Sequence, residues 1–340
     1  MTQPPSPLTM LLSRHTRRRE FITLLGGAAV AWPAATWAQE RPKLWRISIL
    51  HSGFPNRTPI HLLFAALRTL GYEDGRTAAV ELLGGEGDVY RLTTLVAKLA
   101  AQSPDVIVAL TEPAVLALRQ AGVTTPVVFA FVTDPVALGI VNSLAHPGGN
   151  FTGLSFSDAV LGGKRLELLM DTLPDLQRVA VIWSRSFAGN SAILDAIREA
   201  ARARHVEIFP REFQDADDLS SAFDDAKASG AKAAIFMTDN VMFGRRREVA
   251  ALALARHLPS IHSFAPEVED GGLMSFGPEL DESYRRAAAL VDAILKGALP
   301  ANLPVEEPTR FTLAVNLKTA AALGIIVPPA ILVRADKVIE

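Results

Sequence analysis

The chain has 340 residues, with 34 Lys and Arg against 36 Asp and Glu, 49% hydrophobic residues and no cysteine. That length allows about two domains at the usual ~100–200 residues each, and the near-neutral charge gives no basic field to hold a phosphate backbone, so nucleic acid is not an expected partner. The absence of Cys excludes disulfide scaffolds, thiolate zinc sites, cysteine nucleophiles and a lipid-modified N-terminal cysteine.

Residues 1–38 read as an export signal. A basic cluster (Arg14, Arg17, Arg18, Arg19) precedes an apolar stretch from Phe21 to Trp32, which is too short to span a bilayer and ends in small residues. Arg18-Arg19-Glu20-Phe21-Ile22 fits the twin-arginine form of such signals. Cleavage after Ala38 would leave Gln39 as the new terminus; Met10 is an alternative start. Positions 1–38 hold four Arg and one Glu, which leaves 30 basic and 35 acidic residues, a net −5, in the mature chain.

From Leu44 onward short apolar runs alternate with helical stretches. Strands are expected at 45–50, 78–83, 106–110 and 127–131, with helices at 60–70, 90–102 and 113–121. After the Pro147-Gly148-Gly149-Asn150 turn the rhythm restarts. Helices are expected at 162–172, 192–204, 218–229 and 245–257, and strands at 179–183, 206–209, 233–237 and 260–263. A strand at 273–276, a long helix at 282–296 and a strand at 311–315 follow, enough for the chain to recross between two similar halves. Continuous rather than alternating apolar runs imply strands covered on both faces, hence parallel sheets flanked by helices.

Chemical motifs are mostly absent. There is no Gly-x-Gly-x-x-Gly, no P-loop and no His-x-x-x-His spacing, and Gly153-Leu154-Ser155-Phe156-Ser157 lacks the second Gly of a hydrolase elbow. No cofactor and no enzymatic activity are therefore expected. What remains lies at strand ends, where open α/β sheets bind ligands. The first half offers His51, Ser52, Thr111, Glu112, Thr133 and Asp134; the second offers Ser184, Ser186, Asn190, Asp239 and Asn240. Hydroxyl and N–H groups suit a ligand carboxylate, and Glu112, Asp134 or Asp239 suits an ammonium group, a division fit for a small zwitterion. Thr111, Asp134, Ser184 and Asn240 could equally cap helices. Phe131, Phe156, Trp183, Phe187 and Phe243 lie near the same ends and could stack on an aromatic ligand or simply fill the core.

The sequence resembles the ABC-transporter substrate-binding proteins of the tryptophan/tyrosine-binding type. The resemblance is carried by Gly71-Tyr72-Glu73-Asp74-Gly75, Asp134-Pro135-Val136-Ala137-Leu138-Gly139 and Pro147-Gly148-Gly149-Asn150-Phe151-Thr152-Gly153. It continues through Lys164-Arg165-Leu166-Glu167-Leu168-Leu169, Gly271-Gly272-Leu273-Met274-Ser275-Phe276-Gly277, Asn316-Leu317-Lys318-Thr319-Ala320 and the terminal Arg334 to Glu340. It implies a periplasmic-binding-protein type I fold, two doubly wound α/β lobes joined by three crossover strands. Lobe 1 would hold 44–152 plus about 266–308, and lobe 2 about 153–265 plus about 309–340. The crossovers would fall at Pro147–Gly153, before Gly271-Gly272, and at Phe311–Asn316. The resemblance further implies a monomer in the periplasm that captures an amino acid or aromatic carboxylate and delivers it to a membrane permease and its ATPase. Thr111 and Thr133 would hold the carboxylate and Asp239 the amine. The loop Ser184 to Asn190 departs from the Asn-Pro-rich loop of many relatives, so amino-acid specificity does not carry over. A sensor for a membrane receptor and an enzyme on a doubly wound fold are the alternative readings.

Overall fold

The computed structural model describes residues 43–156, 158–185, 189–214 and 218–340. The expected export signal, Ser186 and Phe187 lie outside the described residues.

The first sheet is built from β1 (Trp45–His51), β2 (Ala78–Gly84), β3 (Val106–Ala109), β4 (Val127–Val132) and β5 (Phe151–Ser155), all parallel, in the order β2-β1-β3-β4-β5. Its helices are α1 (His61–Thr69), α2 (Val89–Gln102) and α3 (Glu112–Gln120). β3 is buried along its whole length, as its unbroken apolar run requires of a strand covered on both faces. α2 begins where the Asp88 side chain accepts from the backbone N–H groups of Tyr90 and Arg91, and stops at Ser103, whose φ of 45° leaves the right-handed helix.

The second sheet starts after α4 (Asp158–Thr172). It comprises β6 (Arg178–Ser184), β7 (Glu207–Phe213), β8 (Ala233–Phe236), β9 (Ser260–His262), β10 (Met274–Pro278), β11 (Phe311–Asn316) and β12 (Lys337–Ile339), in the order β12-β11-β10-β9-β8-β6-β7. The β10–β11 pair is antiparallel and the other pairs are parallel. The helices are α5 (Asn190–Arg202), α6 (Leu219–Ala228), α7 (Asn240–Gly244), α8 (Arg246–Ala255), α9 (Ala265–Glu269), α10 (Leu280–Leu295), α11 (Leu317–Ala322) and α12 (Pro329–Arg334). The run β7-β6-β8-β9-β10 repeats the winding of β2-β1-β3-β4-β5, so the duplication expected from the sequence is a duplication of topology, and the chain has the periplasmic-binding-protein type I fold.

α10 follows a strand of the second sheet yet packs on the first. Its buried face (Leu280, Tyr284, Ala287, Ala288, Val291, Ile294 and Leu295) has helical spacing and joins Ile49, Leu63, Leu67, Val108 and Leu154 in one core. The chain therefore passes between the sheets after β5, after β10 and again between α10 and β11. Two expected positions shift. Residues 147–153 run into β5 of the first sheet, so the first passage comes after Ser155. Residues 266–278, expected in the first lobe, carry α9 and β10, and β10 pairs with β9 and β11 of the second sheet. The returning segment lies along β5: Glu306 N–H donates to the Gly153 carbonyl at 2.9 Å, and Ser155 N–H donates to the Glu306 carbonyl at 2.9 Å.

Candidate ligand-binding site

A doubly wound sheet opens a crevice where its strand order reverses, beyond the carboxyl ends of the two strands on either side. In the first sheet those strands are β1 and β3, and in the second β6 and β8. The corresponding residues make the same bond in both halves. Ser52 N–H donates to Thr111 Oγ1 at 3.1 Å, and Ser184 N–H donates to Asp239 Oδ2 at 3.1 Å.

The residue that follows each of these acceptors reaches the opposite half. Glu112 Oε1 accepts from Gly189 N–H at 2.8 Å, and Asn240 Nδ2 donates to Ser52 Oγ at 3.1 Å. Ser52 Oγ also accepts from Thr111 Oγ1 at 2.9 Å, giving a continuous chain Thr111–Ser52–Asn240 across the crevice. Both contacts sit close to a glycine backbone. A Cβ on Gly53 would stand 3.0 Å from Asn240 Nδ2, and one on Gly189 would stand 2.8 Å from Thr133 Oγ1 and 3.1 Å from Glu112 Oε2.

Between the sheets lies a cavity of about 470 Å³ when the solvent continuous with it is included. From the first half His51, Thr58, Pro59, Leu110, Thr111 and Phe131 line it, together with Leu280 and Tyr284 of α10; Thr238, Asp239, Asn240, Phe243 and Phe264 close it from the second. Four of these residues are aromatic. Phe131 meets Tyr284 with centroids 5.4 Å apart and planes at 67°, and Phe264 meets Phe243 at 5.6 Å and 85°. Phe156 stands behind Phe131 at 4.8 Å. Edge-to-face packing of this kind fixes the rings and leaves faces for a further ring. The pairing of β4 with β5 shifts between Phe129 and Val132, and Phe131 takes a φ of 61°, a conformation aromatic residues rarely adopt outside constrained sites. A larger cleft, of about 1280 Å³, lies beside Ser52 and Asn240 and is lined by Arg57, Asp88, Ser184, Gln214 and Arg245 among others.

Asp239 is the charged group of the cavity. Its Oδ1 accepts from Val241 N–H at 2.6 Å and Met242 N–H at 3.0 Å, which starts α7, while Oδ2 ties β6 to β8 through Ser184. Burial pushes its carboxyl up to about 6, with the backbone N–H donors acting in the opposite direction. Among the described residues no Lys or Arg forms an ion pair with it. His51, 4% exposed, is pushed down to about 4 by burial, so it is neutral near pH 7. Gly53 N–H donates to its Nδ1 at 2.9 Å, which places the ring proton on Nε2.

Of the residues expected from the sequence, His51, Thr111, Asp239 and Asn240 line the cavity. Ser52 joins them through its hydroxyl, and Ser184 stands behind Asp239. Glu112 is wholly buried and bonds Thr133 N–H at 3.3 Å as well as Gly189, so Glu112 and Thr133 belong to the contact between the halves. Asn190 Nδ2 donates to the Ser184 carbonyl, away from the cavity lining. Asp134 is exposed and caps its own turn, accepting from Val136 and Ala137 N–H at 3.1 and 2.9 Å. Thr111 makes no helix cap, because its hydroxyl goes to Ser52 instead. Trp183 packs in the core of the second sheet. Phe264, Leu280 and Tyr284 were not among the expected site residues. His51 is legible in the sequence because it ends β1 beside Ser52, whereas Tyr284 looks like any residue on the apolar stripe of a long helix.

The profile of the family described as "ABC transporter substrate binding protein" matches residues 61–339. A tyrosine-binding protein of Clostridioides difficile (strain R20291) is 26% identical over 259 residues, 76% of this chain and 74% of that protein. The crystal structure of a conserved domain protein of Vibrio cholerae O1 biovar El Tor superposes with a TM-score of 0.82 at 25% identity, covering 87% of this chain and all of the other. An ABC domain of Streptococcus pneumoniae solved in complex with L-Trp gives 0.80 at 24% identity, with the same coverage.

Proposed function

The chain belongs to the ABC transporter substrate-binding protein family, and from that premise we propose that it captures an aromatic amino acid between its two halves. Members of this family bind a small-molecule ligand outside the cytoplasm and serve an ABC permease, and the fold and crevice described above fit that capture role. The observation that carries the ligand assignment is a cavity walled by Phe131, Phe243, Phe264 and Tyr284 around one buried carboxylate, Asp239. An aromatic side chain fits the rings, the ammonium group meets Asp239, and the carboxylate takes donors from the second Asn240 Nδ2 hydrogen and His51 Nε2, beside Thr111. The tyrosine-binding relative and the structure of the same fold solved with L-Trp carry ligands of this size and chemistry.

In this reading no bond is made or broken. Ser155, the residue of the hydrolase-like segment, gives its hydroxyl to the Thr133 carbonyl. Ligand contacts to both halves favour the closed arrangement over an open one, and the permease reads the closed surface. The mature protein works as a free monomer in the periplasm after removal of residues 1–38, without binding nucleic acid. A thermal-shift series with the mature protein tests the ligand class. At a hundredfold excess over Kd, binding adds about 2.7 kcal/mol, a rise of roughly 5 °C, for L-Trp or L-Tyr and none for L-Lys or D-ribose. A rise with a sugar or a cationic amino acid, and none with an aromatic one, contradicts the assignment.

The pH dependence follows from Asp239. The ammonium group pairs with the carboxylate form, which predominates above about 6 in the empty protein. Below that value binding must expel a proton, so Kd is expected to rise as pH falls, by up to about tenfold per unit. Calorimetric Kd values at pH 7.5 and 5.0 should differ by about tenfold in the wild type and coincide in Asp239→Asn.

A further inference from the structure

Most polar side chains around the cavity are engaged within the protein; among the described residues the Tyr284 hydroxyl, Asn240 Oδ1 and His51 Nε2 are not. Thr58 Oγ1 donates to the Pro55 carbonyl at 2.7 Å, the Thr238 and Ser263 hydroxyls lie 2.8 Å apart, and Thr111, Asp239 and Asn240 make the bonds given above. Tyr284 is 3% exposed, and among the described residues its hydroxyl makes no hydrogen bond. Its ring is held against Phe131, and α10, on which it stands, is anchored in the first core, so the ring is not free to seek a partner elsewhere. The contrast is Tyr72, whose hydroxyl donates to Asp292 Oδ1 of the same helix at 2.9 Å. Burial raises the Tyr284 hydroxyl above its ordinary range, so it stays protonated and keeps both a donor and an acceptor.

A hydroxyl that borders the cavity without a partner in the protein is satisfied by what enters the cavity, water or a ligand group. We propose that Tyr284 selects aromatic ligands that carry a hydrogen-bonding group on the ring, a phenol O–H or an indole N–H, over a plain phenyl ring. The inference rests on the aromatic-ligand reading and sharpens it. A phenyl ring fills the same space but leaves the hydroxyl unpaired and dehydrated, whereas a phenol or indole pairs with it, and sites built this way reject the analogue that lacks the polar group.

The test is calorimetry with L-Tyr, L-Trp and L-Phe on the wild-type mature protein and on Tyr284→Phe, together with thermal melting of both without ligand. The expected result is that L-Tyr or L-Trp binds the wild type about tenfold tighter than L-Phe, consistent with one net hydrogen bond, and that the ratio falls to within about twofold in Tyr284→Phe. Which of L-Tyr and L-Trp loses more in the variant distinguishes a phenol from an indole partner. The ligand-free variant is expected to melt no lower than wild type, because the hydroxyl has no partner in the protein to lose. An unchanged ratio, or a variant that melts several degrees lower without ligand, overturns the role of Tyr284 and leaves the aromatic-ligand reading standing. Failure of all three amino acids to bind the wild type overturns both.

Discussion

Asp239→Ala is expected to weaken ligand binding at least a hundredfold and to lower stability by about 2–4 kcal/mol. The two effects have separate causes. Three backbone N–H groups converge on this carboxylate, from Ser184, Val241 and Met242. Removing it leaves buried donors at the start of α7 and at the end of β6, at about 1–3 kcal/mol for each that water cannot reach. Water entering through the cavity relieves part of this, which sets the lower bound. The affinity loss comes from the ammonium group, which would face an apolar cavity with no anion. Asp239→Asn separates the two: its side-chain oxygen retains the cap on α7, so urea unfolding should show a smaller loss than in Asp239→Ala, while calorimetry should show nearly the same loss of affinity. Wild-type affinity in both variants would make Asp239 a fastening between β6 and β8 and nothing more.

Gly153→Ala is expected to cost 3 kcal/mol or more, roughly, the upper part of the range for overpacking a closed core. Gly153 pairs with Phe129, and a Cβ there would stand 2.0 Å from the Phe129 carbonyl oxygen and 2.7 Å from its ring. The obstacle is backbone in a central strand, and the Gly153 carbonyl also receives the Glu306 N–H of the returning chain, so β5 has nowhere to move. Two residues beyond Phe129 stands Phe131, whose left-handed backbone aims it at the cavity, so the same substitution is expected to disturb the aromatic wall and weaken binding. Gly149→Ala is the control. Nothing lies within 4 Å of a Cβ at that position, and its urea midpoint should match wild type to within about 0.5 kcal/mol. Equal midpoints for the two variants would contradict the register between β4 and β5.

The alternation of strands and helices and its restart near residue 150 were legible because both-face burial writes itself as unbroken apolar runs such as Val106 to Leu110 and Ala233 to Met237. The site was half legible for a related reason. Residues at the ends of β1, β3, β6 and β8 must meet at the crevice once the sheet order is set, which picks out Ser52, Thr111, Ser184 and Asp239 without any contact information. What each side chain does there was not legible. Thr111 and Asp134 have the same capping chemistry, yet Thr111 turns to Ser52 across the strand ends while Asp134 caps an exposed turn. Nor could periodicity find Tyr284 or the orientation of Phe131. One depends on the chain returning from β10 to pack a helix on the first sheet, and the other on a shift in register between β4 and β5. Both are tertiary facts that leave no local pattern.

The most direct test of ligand placement is a crystal structure of the mature protein grown with whichever of L-Trp or L-Tyr gives the larger thermal shift. The ligand ring is expected among Phe131, Phe243, Phe264 and Tyr284, its ammonium nitrogen within hydrogen-bond distance of Asp239, with the contacts Glu112–Gly189 and Ser52–Asn240 intact. A ligand lodged in the outer cleft beside Asp88 and Gln214, or a closed protein whose inner cavity stays empty, would contradict that placement.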